Sequence, residues 1–131
     1  MIPRYTNPEM GSIWEDQNKY ETWLKVEIAI MQALSEQGVI PADAVEAVKE
    51  KAQINIERIL EIEETVKHDV IAFTTSIAEY VGEPARYFHY GVTSSDVLDT
   101  SLAMLTKESG ELILKDIDAF IEILKKQAHA Y

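Results

Sequence analysis

From Ser94 onward, Leu98, Leu102, Leu105, Leu112, Ile113, Ile117, Phe120, Ile121, Leu124 and Ala128 recur at helical spacing to the end of the chain. At 1.5 Å per residue, this stretch predicts a rod approaching about 50 Å. A chain of 131 residues makes one ordinary domain, which rarely contains such a rod. A helical bundle or an oligomer does contain one, because its long apolar stripe needs partner helices. Gly110 interrupts the stretch at a cost of about 1 kcal/mol relative to Ala, so packing rather than propensity must hold it. The pattern reaches Tyr131 without a terminal Gly, Asn or Pro. It reads as a helix ending or still running, as in the first part of a larger protein.

The remainder is also helical in period, and the expected class is all-α. Tyr20, Trp23, Leu24, Val26, Ile28, Ile30, Met31 and Leu34 predict an amphipathic helix from about Glu15 to Gln37 with Trp23 and Met31 in the core. Gly38 supplies its stop. A shorter helix over Ala42 to Ala52 turns Ala44, Val45 and Val48 inward. Asn55 reads as the N-cap of a helix that carries Ile56, Ile59, Leu60 and Ile62. Its glutamates, Glu57, Glu61, Glu63 and Glu64, read as a solvated face rather than paired catalytic carboxylates. Lys67-His68-Asp69 breaks the period and is read as a helix junction with Asp69 as the cap of a helix through Val81. The opening arm, with Pro3, Pro8 and Gly11, is expected to be extended or turning and prone to fray.

Composition excludes several classes of function. The formal charge is −11, which argues against nucleic acid or an anionic membrane as partner, since both call for a basic surface. There are no cysteines, so disulfides, thiolate nucleophiles and Cys-ligated metals drop out, and a reducing compartment fits. No segment approaches the roughly 20 apolar residues of a membrane span, and the N-terminus lacks a signal-peptide run, so a cytoplasmic location is expected. Gly-rich phosphate loops, His-Glu-x-x-His and EF-hand loops are all absent from the sequence. No cofactor and no metal is expected.

The chemistry-bearing residues fall in three places. Arg4-Tyr5 could offer a guanidinium fork and a phenol to a phosphate, or could be a surface arginine beside a packed aromatic. His68 stands at a helix start, where the positive end of the dipole disfavours an imidazolium, and a neutral ring there can exchange protons. His89-Tyr90-Gly91-Val92-Thr93-Ser94-Ser95-Asp96 runs from a polar loop into the long helix. Free N–H groups at that helix start, with the Thr93 and Ser94 hydroxyls, suit a carboxylate or phosphate. Simple capping by Thr93 or Ser94, with Asp96 in the first turn, explains the same residues. A histidine beside aromatics, such as His89, is often a satisfied structural group.

Taken together, Arg4-Tyr5, His68-Asp69-Val70 and His89-Tyr90-Gly91-Val92-Thr93-Ser94-Ser95-Asp96-Val97-Leu98-Asp99-Thr100 resemble the N-terminal part of the adenylosuccinate lyases, within the fumarase and aspartase superfamily. Ile13-Trp14, Trp23-Leu24-Lys25-Val26-Glu27 and Gly38-Val39-Ile40-Pro41 extend the likeness along essentially the whole chain. The resemblance implies an N-terminal helical domain with substrate-binding loops over residues 1–93. Residues 94–131 would begin the long-helix bundle domain. It implies a homotetramer with active sites assembled from three subunits and no cofactor. The implied purine-biosynthetic reaction is β-elimination of fumarate from adenylosuccinate to give AMP, and from the succinyl-carboxamide ribonucleotide.

By the same resemblance, Arg4 and Tyr5 meet the nucleotide phosphate, Lys67, His68 and Asp69 lie near ribose and base, and Thr93 and Ser94 bind the succinyl carboxylate. His68 and His89 take part in catalysis, His89 as a supporting group. Lys67 departs from the family, which more often has Asn or Arg there, and a point charge does not replace a planar fork. The principal acid histidine and base serine are expected beyond residue 131, leaving this chain inactive alone. Two alternatives remain at this level: a sister fumarate-releasing enzyme such as argininosuccinate lyase, and a non-enzymatic acidic helical interaction module.

Overall fold

The computed structural model describes residues 2–130. Six α-helices follow one another: α1 Pro8–Ile13, α2 Asp16–Glu36, α3 Ala42–Lys51, α4 Ile56–Val66, α5 Asp69–Val81 and α6 Ser94–Ala130. Short 3-10 turns cover Pro3–Tyr5 and Glu83–Tyr87. Among the described residues there is no strand, and no helix is long and apolar enough to cross a membrane.

The core forms where the inward stripes of α2, α3, α4 and α5 converge on four aromatic rings. Tyr20 stacks on Phe73 at 5.9 Å, Trp23 meets both edge-on at 5.2 and 5.5 Å, and Phe88 closes the cluster 6.0 Å from Phe73. Edge-on and offset stacked pairs match the ring quadrupoles and add to the hydrophobic gain. Trp23 and Met31 are buried as expected, with Val48, Ile59, Val70, Ile77 and Val97 around them. Leu60, read as part of the inward stripe, is instead 47% exposed. It directly follows Ile59, which already faces the core, so the helical rotation carries Leu60 outward.

Local chemistry sets the helix boundaries. At Gly38, φ is +72°, the left-handed turn that ends α2, and Val39 N–H reaches back to Leu34 O at 2.9 Å. Asn55 caps α4 by accepting from Arg58 N–H at 3.0 Å, and its amide donates to Tyr80 Oη at 3.0 Å. The Arg58 guanidinium then ties α4 to α5 through Glu79, at 2.6 and 2.9 Å, and holds Glu61 at 2.6 Å.

The opening arm corrects an expectation. It is ordered into α1, because the Asn7 side chain accepts from Glu9 N–H at 2.8 Å and from Met10 N–H at 3.4 Å. Pro8 occupies the first helical turn, where its missing N–H costs nothing. Gly11 packs so close to Thr6 that a Cβ would stand 2.7 Å from Thr6 Cγ2. Asn-Pro-Glu is a helix-start signal, although the prolines and glycine read as breakers.

Helix α2 lies along α6, and the two run in opposite directions. Glu27 reaches His89, just before α6, whereas Glu9 of α1 meets Lys115 at 3.4 Å, well along it. On α6 only Val97, Ser101, Leu105 and Ser109 are buried. Beyond them Ile113, Leu114, Ile117, Phe120, Ile121, Ile123 and Leu124 are 41–60% exposed.

Candidate functional site

The junction between α4 and α5 places Lys67, His68 and Asp69 on an exposed corner. Lys67 ends α4 in the left-handed conformation, φ 55° and ψ 34°, which costs a non-glycine residue roughly 1–2 kcal/mol. Glycine or asparagine takes this position more readily. The expected cap is corrected here. His68 has the extended backbone of an N-cap and its Nδ1 accepts from Ile71 N–H at 3.4 Å, while Asp69 is the first helical residue. The Asp69 carboxylate folds onto Val70 N–H at 2.7 Å and lies 3.5 Å from His68 Nδ1. It therefore serves the helix start from inside the first turn. His68 and Asp69 side chains are each 46% exposed, open to a ligand.

The connector into α6 is built differently, with His89 anchored to a buried carboxylate of the core. The turn Glu83–Tyr87 leads to buried Phe88, and then His89 takes φ 58°. His89 Nδ1 lies 2.5 Å from Glu27 Oε1, and the Glu27 side chain is fully buried in α2. Burial pushes the Glu27 carboxyl above its usual range, and the His89 hydrogen bond pulls back against that rise. Four residues on, Thr93 N–H donates to Asp96 Oδ2 at 2.8 Å and Asp96 N–H donates to Thr93 O at 3.0 Å. This is the return half of a capping box. Among the described residues, the Thr93 and Ser94 hydroxyls have no hydrogen-bond partner.

Arg4 and Tyr5 form a third group, both exposed, with the Arg4 guanidinium 4.8 Å from the Tyr5 ring centroid. They precede α1, which is tied to α6 at Lys115, about 30 Å along the helix from Ser94 at 1.5 Å per residue. The arm and the Thr93 turn therefore stand at opposite ends of the α2–α6 contact. Among the described residues, no hydrogen bond or ion pair joins any two of the three groups. The only non-glycine residues with positive φ among those described are Lys67 and His89, both candidates from the sequence. Strained conformations concentrate at functional sites, where surrounding structure must hold them. Among the described residues, no cluster of His, Asp and Glu could hold a metal ion.

A sequence family described as lyase matches residues 4–131. The chain belongs to this lyase family. It is 47% identical over 133 residues to an adenylosuccinate lyase of Bacillus subtilis, an alignment covering 100% of this chain and 31% of that protein. It is 52% identical over 131 residues to an adenylosuccinate lyase of Synechocystis, covering 100% and 30%. The chain thus spans less than a third of the length of these curated relatives. Two solved structures share the fold at 23% identity: a fumarate lyase from Mesorhizobium, with TM-score 0.78 over 86% of this chain and 27% of that one, and a β-carboxy-cis,cis-muconate cycloisomerase from Acinetobacter calcoaceticus, with TM-score 0.82 over 95% and 31%.

Within this lyase chain, reading the sequence missed Glu27. It sits in an apolar stripe between Val26 and Ile28, and a buried glutamate in such a stripe is itself a signal, because carboxylates are almost never fully buried without a partner.

Proposed function

We propose that this chain is the N-terminal portion of an adenylosuccinate lyase. The complete enzyme eliminates fumarate from adenylosuccinate to give AMP, and from the succinyl-carboxamide ribonucleotide of purine biosynthesis. The single observation that carries this reading is the 47% and 52% identity to curated adenylosuccinate lyases across the whole chain. In this reading, residues 1–93 form the domain with the substrate-binding loops and residues 94–131 begin the bundle. The enzyme works in the cytoplasm as a homotetramer. The exposed apolar stripe of outer α6 supports assembly, since it needs a cover.

The elimination removes a proton from the carbon next to a carboxylate. Charge builds on that carboxylate, the C–N bond breaks, and an acid protonates the leaving nitrogen. Thr93 and Ser94, with unpartnered hydroxyls at the start of a long helix, bind the succinyl carboxylate. Arg4 and Tyr5 bind the phosphate, Lys67, His68 and Asp69 lie by ribose and base, and His89 supports catalysis. The spread of these groups over one chain favours a site completed by neighbouring subunits. The principal acid and base lie outside residues 1–131.

The test is fumarate release from adenylosuccinate. The complete protein turns the substrate over and residues 1–131 alone do not, and Arg4→Ala in the complete protein raises KM more than it lowers kcat. Turnover of argininosuccinate instead of adenylosuccinate overturns the substrate assignment. Activity of the isolated chain overturns the placement of acid and base.

A further inference from the structure

We propose that Glu27 is a positioning residue: from inside the core its carboxylate holds the Nδ1 side of His89, leaving Nε2 as the ring nitrogen that meets the substrate. The inference rests on reading His89 as part of a lyase site, and it adds a residue from a helix that no loop motif marks.

Three observations carry it. The first is the isolation of Glu27. Its side chain is 0% exposed, Trp23, Val26 and Met31 of the same helix are buried nearby, and its Oε2 has no hydrogen-bond partner among the described residues. Burying a carboxylate that is only half satisfied is unfavourable, and an apolar side chain of similar volume usually serves a fold better. A buried group left this way calls for an explanation outside packing.

The second observation is the conformation of His89. The residue sits at φ 58° after buried Phe88, a backbone state that a non-glycine residue keeps only when its surroundings hold it. The contact to Glu27 spans 62 residues of sequence and is the one polar tie of this side chain among the described residues.

The third is the direction of the ring. The His89 side chain retains 18% exposure. Among the described residues its Nε2 has no hydrogen-bond partner, and the atom is not sealed from solvent. One edge of the imidazole is therefore held from within while the other opens outward. A carboxylate accepting Nδ1–H selects the tautomer whose Nε2 lone pair faces out. That nitrogen can accept a proton, or, once protonated, donate to an anionic group. Carboxylate partners fix imidazoles in this way in several kinds of site, and losing them commonly costs activity without loss of fold.

A double-mutant cycle on the complete lyase that carries this chain tests the proposal, with Glu27→Leu, His89→Gln and the pair. Glu27→Leu should lower kcat/KM about ten- to hundred-fold while the thermal midpoint stays or rises. The double variant should lose no more than His89→Gln alone, because Glu27 acts through that ring. Glu27→Gln, which keeps an acceptor oxygen, should retain more activity than Glu27→Leu. It replaces Glu27→Leu in the cycle if that variant does not fold. Losses that multiply, or a folded Glu27→Leu enzyme with full activity, overturn the proposal. A complete protein that does not cleave adenylosuccinate overturns the adenylosuccinate lyase reading instead. In that case, 15N-histidine spectra decide Glu27 separately: the Nδ1–H tautomer of His89 present in the parent and lost in Glu27→Leu supports it, and an unchanged tautomer overturns it.

Discussion

The two halves of α6 repeat at the same helical spacing, through a mixed Val, Ser and Leu face in the first and an apolar face in the second, and meet opposite fates. In the first half Val97, Ser101, Leu105 and Ser109 repeat every four residues and are all buried, packed along α2. In the second half Ile113, Ile117, Phe120, Ile121 and Leu124 repeat similarly, yet each is at least 41% exposed. Periodicity reports that a stripe is made for burial. Whether this chain supplies the cover is a separate matter, decided by how far α1 and α2 extend along the helix.

That contrast is sharpest for two phenylalanines. Phe73 is fully buried and touches three other rings, so Phe73→Ala should destabilise the fold by about 3–5 kcal/mol in urea unfolding. Phe120 is 59% exposed. Phe120→Glu should leave core stability within about 0.5 kcal/mol, the usual range for surface changes, but weaken self-association in sedimentation velocity. An equal loss of stability from both changes would break the comparison. Gly110 stands at the boundary between the two halves, and a Cβ there meets nothing within 4 Å. Gly110→Ala should therefore stabilise by about 1 kcal/mol in the same measurement. No gain would mean that the boundary packs against something else in solution.

The smallest effect lies far from α6, on the surface clamp between α4 and α5. The Arg58 guanidinium holds the Glu79 carboxyl below its ordinary value of 4.5. A lowered carboxyl contributes stability above its unfolded pKa, and that contribution is lost as pH falls through the folded one. Stability should thus dip slightly below about pH 4.5, and Arg58→Gln should flatten the dip. Because both groups are exposed and screened by solvent, salt should shrink the effect.

The helices and their junctions were legible because their causes are local. Asn55, Gly38 and the Lys67–Asp69 break act within one turn of chain, and the stripe of Tyr20, Trp23 and Met31 is a period of one helix. The misreadings were local competitions with a different winner. Asn7-Pro8-Glu9 started a helix where Pro and Gly suggested a frayed arm, and His68 rather than Asp69 took the cap because the backbone turns one residue earlier. The candidate site was legible as a set of residue types but not as an arrangement. Nothing near Arg4 in sequence indicates that α1 is pinned at Lys115, away from Thr93.

By itself, then, the sequence determined an all-helical chain, its helix boundaries from Glu15 onward to within a residue or two, and a family whose members match it from end to end. Tertiary structure alone decided three things. It paired Glu27 with His89 across 62 residues, it set Arg4-Tyr5 and Thr93-Ser94 at opposite ends of the α2–α6 contact, and it left the outer half of α6 uncovered. The reason is one of range. Capping and periodicity depend on neighbours within a few residues, whereas the pairing of distant side chains depends on how whole helices dock, and that is set by the shape of the core they share.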